Sequence, residues 1–194
     1  MLAGGASARL GGRPKGLDVI GGRRVIDRVA DAMRPVVSRI IIVSNDPAAR
    51  TWLVGVAAHP DVRSERGSLV GIHTALSAAA GDVLVVAWDM PFVETPLLSL
   101  IATRLVRSAY AAVPETERGV EATCAAYRAA CLPFAERLLG AGTMKLSAFV
   151  AELPEHETIA RADLASVGDP TRLFFNVNTP LDLARASAMA STER

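Results

Sequence analysis

Val83-Leu84-Val85-Val86-Ala87-Trp88-Asp89-Met90-Pro91-Phe92 joins the most apolar strand-length run of the chain to a carboxylate and a proline. A short run that is apolar at every position suits a strand buried on both faces, as in a parallel sheet covered by helices. In open α/β sheets ligands bind beyond the carboxyl ends of the strands, so this reading puts Asp89 where chemistry usually happens. A lone carboxylate there either caps the following turn or binds Mg²⁺, which is commonly held by one or two carboxylates plus substrate phosphates.

Outward from this stretch, apolar runs of strand length alternate with amphipathic segments, the order expected of an α/β fold with a mostly parallel sheet. The other strands are expected at 39–44, 54–58, 110–113, 122–127 and 174–177. Val25, Ile26, Val29, Ala30 and Met33 fall at helical spacing ahead of Pro35, and Leu69, Ile72, His73, Leu76 and Ala79 do the same in the next helix. A helix over 97–106 is entered through Glu94-Thr95-Pro96, with Thr95 as cap and Pro96 in the first turn. Helices over 131–139 and 145–153 stop at Gly140 and Pro154, and Thr179-Pro180-Leu181-Asp182 caps a last one. The segment 114–120 reads as a polar, mobile loop. Only Met1, Leu2 and Ala3 precede the first glycines, fewer than the roughly 5–6 residues of a mean strand. Either the start codon lies further upstream, or the edge of the site rests on a stub.

That stub runs into Leu2-Ala3-Gly4-Gly5-Ala6-Ser7-Ala8-Arg9-Leu10-Gly11-Gly12-Arg13-Pro14-Lys15-Gly16, a glycine-rich loop with three cations and no acid. Glycines let backbone N–H groups close on an anion without a Cβ in the way, and Arg9, Arg13 and Lys15 add charge, so the loop suits a polyphosphate. It is neither a Walker loop, since Lys15 lies between Pro14 and Gly16, nor a dinucleotide fingerprint. The alternative is a flexible, basic surface loop.

Composition bounds the remaining choices. The 194 residues are 51% apolar and 21% charged, enough for one sizeable core in a single domain spanning 1–194. With 21 basic and 20 acidic side chains, no whole-molecule field draws the chain to nucleic acid or an anionic membrane, and sparse aromatics offer no base-stacking platform. Cys124 and Cys131 are too few for a disulfide framework and lack metal-ligand spacing, which suits packed thiols in a reducing cytoplasm. Neither a signal peptide nor an apolar run of the roughly 18 residues of a membrane span is present.

Several other residues admit two readings. Asn176 and Asn178, one residue apart on an extended segment, point to one side and could complete a metal or phosphate site, or act as turn residues before the last helix. Asn45 and Asp46 either cap the next helix or meet a nucleotide, and Asp61 is a turn residue by default. The small residues of Gly67-Ser68-Leu69-Val70-Gly71 permit close approach of a base or ribose, or simple helix–sheet packing. His73 reads as packed and His156 as a surface residue. No nucleophile has a neighbouring histidine base, so acyl transfer lacks support.

Taken together, LAGGASARLGGRPKG at 2–16, WDMPF at 88–92 and FFNVNTPLDL at 174–183 resemble the nucleotidyltransferases of molybdenum cofactor synthesis, the guanylyltransferases most closely. The resemblance covers essentially the whole chain. It implies a single Rossmann-like α/β domain in which GTP and molybdopterin, or its molybdenum-bound form, give a guanine dinucleotide cofactor and pyrophosphate with Mg²⁺. Carried over by position, the backbone of Leu2, Ala3, Gly4 and Gly5 would hold the nucleotide and Lys15 would neutralise its phosphates. Asn45 and Asp61 fall where the family contacts guanosine. Asp89 matches the metal-binding aspartate, Arg9 a basic position of the loop, and Asn176 and Asn178 the segment bordering the pterin. The family also implies a cytoplasmic monomer or weak oligomer in transient contact with other proteins of the same synthesis. Trp88 departs from the small residue or cysteine usual before the aspartate, and Glu121-Ala122 from a common His-Pro pair.

The chemistry of such a reaction agrees with the residues. A phosphate monoester attacks the α-phosphorus and pyrophosphate leaves, so alignment and charge neutralisation replace a strong general base. The rivals are a cytidylyltransferase acting on molybdopterin, a sugar-phosphate nucleotidyltransferase, and a nucleotide-binding regulatory protein without turnover.

Overall fold

The structure is a computed structural model that describes residues 1–4, 9–10, 13–65 and 67–191, the side chains of residues 9, 10 and 13 excepted. Two short antiparallel hairpins, Arg9–Leu10 (β1) with Arg13–Pro14 (β2) and Val19–Ile20 (β3) with Arg23–Arg24 (β4), precede helix Val25–Met33 (α1). Next come Ile41–Val43 (β5), Ala57–His59 (β6), Ser68–Ala79 (α2), Val83–Val86 (β7) and Thr95–Leu105 (α3). The second half runs Ala111–Thr116 (β8), Gly119–Val120 (β9), Cys124–Tyr127 (β10), Leu132–Gly140 (α4) and Leu146–Glu152 (α5). His156–Ile159 (β11), Arg161–Ala165 (α6), Pro170–Leu173 (α7) and Pro180–Ser191 (α8) complete it.

The pairings join into one mostly parallel sheet. β5 pairs parallel with β6, and Leu2 bridges in parallel to Val43 on one side and to Ala87, just past β7, on the other. β10 pairs antiparallel with β7 and β8, and β11 lies parallel to β8. The spatial order is therefore β6, β5, residues 1–3, β7, β10, β8, β11, with β10 running against the rest. The three-residue stub is central: Ala3 N–H donates to Val43 O at 2.9 Å, Leu2 N–H to Val86 O at 2.9 Å, and Trp88 N–H to Leu2 O at 3.0 Å.

Side chains alternate between two cores, as the period of two along a strand requires. Met1, Ala3, Ile42, Val86, Ala112, Cys124 and Ala126 enter the core shared with α1, α3 and α8. Leu2, Val43, Val85, Ala111, Val113, Ala125 and Tyr127 enter the core shared with α2, α4 and α5. Helices thus cover both faces, which is why the strands read as continuous apolar runs. Both cysteines are buried free thiols, and burial pushes Cys131 up to about 12. Among the described residues, no helix is long and apolar enough to cross a membrane.

Four expectations need correction. The strand expected at 54–58 lies at Ala57–His59: Val54 is fully exposed and Gly55 has φ +74°, so a turn occupies the apolar run. The supposed mobile loop at 114–120 is instead the end of β8 paired with β9, its turn closed through Gly119 at φ +101°. Residues 174–177 form no strand; Val177 N–H donates to Asp89 O at 2.9 Å and Phe174 follows α7 directly. Thr95 does not cap α3, since its hydroxyl donates to Ala32 O at 3.1 Å. The edge strand β11, which carries His156, had no apolar run to announce it.

Candidate active site

The carboxyl ends of four adjacent parallel strands bring the polar residues together. Gly4 leaves the amino-terminal strand, Asn45 follows β5, Asp61 follows β6 and Asp89 follows β7. They open on one cleft of about 800 Å³, which Leu2, Ala3, Lys15, Asn176 and Asn178 also line. Every described residue that the sequence assigned to the nucleotide, metal or pterin side is at this cleft. Gly5 and the side chain of Arg9 lie outside the described residues.

The innermost cluster is ionic. Lys15 sits in a short 3-10 turn, Lys15–Leu17, and its Nζ lies 2.6 Å from Asp89 Oδ2 and donates to Asn178 Oδ1 at 2.6 Å. The side chains are 5% and 13% exposed for Lys15 and Asp89, so solvent screens the pair little. Breaking a buried pair by removing one partner leaves an uncompensated charge and typically costs about 3–5 kcal/mol. Asp89 is thus not a turn cap. Asn178 takes the turn role considered for it, its backbone N–H donating to Asp182 Oδ2 at 3.1 Å, while its side chain faces Lys15. Asp182 also accepts from Thr179 N–H and hydroxyl, and these bonds hold its carboxyl below the usual range while starting α8. Asn176 lines the cleft with its Nδ2 donating to Phe174 O at 3.2 Å.

A second cluster is neutral on one side and anionic on the other. Asn45 Nδ2 donates to Asp61 Oδ2 at 2.8 Å, and Asp61 N–H returns a bond to Asn45 Oδ1 at 2.8 Å. Burial pushes the Asp61 carboxyl above the usual range, against the opposing pull of hydrogen bonds from Asn45 and Thr74. Asp46, beside them, accepts from Ala48 N–H at 2.9 Å and caps the turn Pro47–Thr51, the capping role open to it in the sequence. Gly67, Ser68 and Gly71 line the cleft, and a Cβ on Gly71 would come 3.2 Å from Leu2 Cδ2, so that glycine also serves helix–sheet packing.

Two participants were missed. Thr74 is a buried hydroxyl on an otherwise apolar helix face, accepting from Val62 N–H at 3.1 Å and reaching Asp61 Oδ1 at 3.5 Å. A polar residue three and four positions after Gly71 and Val70, in a helix of mostly apolar residues, was the available signal. Trp52, which also lines the cleft, had none.

The donor set can be tested against a metal. Among the described residues no group of three or more His, Cys, Asp or Glu could hold one. Asp89 Oδ1 makes no hydrogen bond or ion pair among them, while Oδ2 faces Lys15. One hard carboxylate oxygen beside a lysine on the same cleft fits Mg²⁺ carried largely by phosphates of a ligand, not a caged transition metal.

Known proteins resemble this chain in sequence and fold. Residues 1–158 match the family described as the MobA-like NTP transferase domain. A molybdenum cofactor guanylyltransferase of Desulfosudis oleivorans is 35% identical over 195 residues, covering 100% of this chain and 96% of that protein. A probable molybdenum cofactor guanylyltransferase of Pelotomaculum thermopropionicum is 34% identical, covering 100% and 93%. The crystal structure of molybdopterin-guanine dinucleotide biosynthesis protein A from Archaeoglobus fulgidus superposes with a TM-score of 0.82 at 26% identity, covering 98% of this chain and 97% of that one.

Proposed function

The chain belongs to the MobA-like NTP transferase family, and from that premise we propose that residues 1–194 act as one domain that transfers GMP from GTP to molybdopterin or its molybdenum-bound form. The observation that carries this reading is the Lys15, Asp89 and Asn178 cluster at the inner wall of a cleft shared with Leu2, Ala3, Gly4, Asn45 and Asp61.

In the reaction an oxygen of the pterin's phosphate monoester attacks the α-phosphorus of GTP. The bond from that phosphorus to the bridging oxygen breaks, and pyrophosphate leaves with the electron pair. Asp89 would hold Mg²⁺, which when bound supplies charge neutralisation to the phosphate oxygens. Lys15 has three donors, so it can meet the triphosphate while still facing Asp89 and Asn178, and its charge is already in place and desolvated when negative charge moves toward the leaving group. Backbone N–H groups of the glycine loop, Gly5 among them, and the Arg9 guanidinium complete the phosphate cradle. Asn45 and Asp61 meet the guanosine, and Asn176 and Asn178 border the pterin. The protein works in the cytoplasm as a monomer or weak oligomer, in transient contact with other proteins of molybdenum cofactor synthesis.

The test is pyrophosphate release with Mg²⁺ and GTP, CTP or ATP, each offered molybdopterin or a sugar phosphate. Release only with GTP and molybdopterin supports the reading. CTP in place of GTP, or a sugar phosphate in place of the pterin, would reassign the substrate, and GTP binding without product would leave a regulatory protein. Asp89→Asn is the control of choice, because Asp89→Ala would leave Lys15 buried with Asn178 as its remaining side-chain acceptor.

A further inference from the structure

We propose that Trp88 is a positioning residue for this transfer, fixing the separation of Lys15 and Asp89 by holding the Lys15-Gly16 backbone against its indole ring. The inference rests on the transferase reading above. A Cβ built on Gly16 would stand 2.6 Å from Cδ2 and 2.9 Å from Cζ3 of Trp88, and closer still to Cε3. The ring and the Gly16 backbone are therefore in direct contact, and only glycine fits there without movement.

The two residues so joined are the chain neighbours of the ion pair: Gly16 follows Lys15 and Trp88 precedes Asp89. Any tilt of the ring is transmitted to both members of the cluster. The ring has little freedom to tilt. Trp88 is 2% exposed, and its backbone N–H donates to Leu2 O at 3.0 Å, which ties the residue to the amino-terminal strand. Its indole stacks on Trp52 with centroids 4.8 Å apart and planes at 22°. Trp52 is anchored in turn, its carbonyl accepting from Arg24 Nη2 at 3.1 Å while Arg24 pairs with Asp27. Both tryptophans of the chain are spent on this one stack.

The indole N–H supports a role for shape. Trp88 Nε1 is buried with no hydrogen-bond partner among the described residues, a cost that a wholly apolar side chain would avoid. What tryptophan contributes here is a flat area long enough to reach from the end of β7 to Gly16 and Trp52.

The full chain is assayed with GTP, Mg²⁺ and molybdopterin as wild type, Trp88→Ala, Trp88→Phe and Gly16→Ala, with kcat and the KM for GTP measured separately on the folded fraction. Trp88→Ala and Gly16→Ala should each lower kcat by about 100-fold, the scale of a roughly 1 Å misplacement, with little change in KM. Trp88→Phe keeps a ring beside Gly16 and should recover most of that loss. Adding Trp88→Leu to Gly16→Ala should raise kcat above that of Gly16→Ala alone, because the smaller side chain makes room for the new methyl. A lowered melting temperature with wild-type kcat in Trp88→Ala and Gly16→Ala would overturn the inference and leave Trp88 as core packing. If Trp88→Ala fails to fold, Gly16→Ala and Trp88→Phe decide by the same criterion. A wild-type chain that releases no pyrophosphate would overturn the transferase reading and this inference together; an active wild type with unaffected variants overturns this inference alone.

Discussion

Two polar knots open on the same cleft and are held by different physics. Lys15 and Asp89 form a largely buried ion pair that the exposed Asn178 joins, and the three come from the two ends and the middle of the chain. Asn45 and Asp61 form a reciprocal pair between neighbouring strands, more open to solvent, in which the single carboxylate has no cationic partner among the described residues and is raised by burial. In the first knot charge is desolvated and matched, so it is poised for electrostatic work at low reorganisation cost. In the second, a partly desolvated acceptor waits for a donor, which suits recognition of a base or sugar. Under the proposed function, the contrast would separate a part of the cleft that drives the reaction from a part that selects its substrate.

The largest expected effect comes from breaking the ionic knot. Asp89→Asn keeps an acceptor for Lys15 but removes the charge proposed to hold Mg²⁺, and kcat should fall by about 10²–10³ with the fold retained, as read by steady-state kinetics and circular dichroism. Lys15→Met leaves Asp89 without its cation, so it should lower stability by about 3–5 kcal/mol in urea unfolding as well as impair triphosphate use. A loss of activity without any loss of stability would mean that Lys15 is already solvated in the free protein.

The recognition knot should respond differently. Asp61→Asn is expected to raise the KM for GTP by about tenfold with kcat nearly constant, the pattern of a lost binding contact. Equal loss in kcat would merge the two knots into one functional unit. The same substitution has a pH signature. Because the folded Asp61 carboxyl binds its proton more tightly than the unfolded one, its contribution to stability falls as pH rises from the ordinary carboxylate value through the raised one. Asp61→Asn should therefore flatten that segment of the melting temperature against pH. The smallest effect is expected for Thr74→Val, about 1 kcal/mol of stability from the lost hydroxyl bonds, with a slight rise in the KM for GTP.

These knots were unequally legible. Asp89 was placed by a local pattern, an apolar strand ending in an acid, and that pattern survives folding because a strand's direction fixes which end carries the site. Trp52 carries no local signal; only the stack on Trp88 gives it meaning. Residues 54–58 misled because a Val-Gly-Val run can be a turn when its first valine is left in water. Residues 174–177 misled because the run begins in the closing turn of α7 and meets Asp89 through a single backbone bond, which is not a strand. Polar composition at 114–120 hid a hairpin whose stability lies in backbone pairing.

The sequence by itself determined the alternation of buried strands and amphipathic helices, the glycine loop, and the residue types at the site, since periodicity and backbone freedom are local properties. Only the tertiary structure decided that residues 1–3 lie between β5 and β7, that Lys15 meets a side chain 163 residues away, and that Trp88 lies on Gly16. Those adjacencies depend on the order in which distant strands pair and on which face of the sheet each helix covers. No local pattern encodes that order, because it is set by the simultaneous burial of both cores.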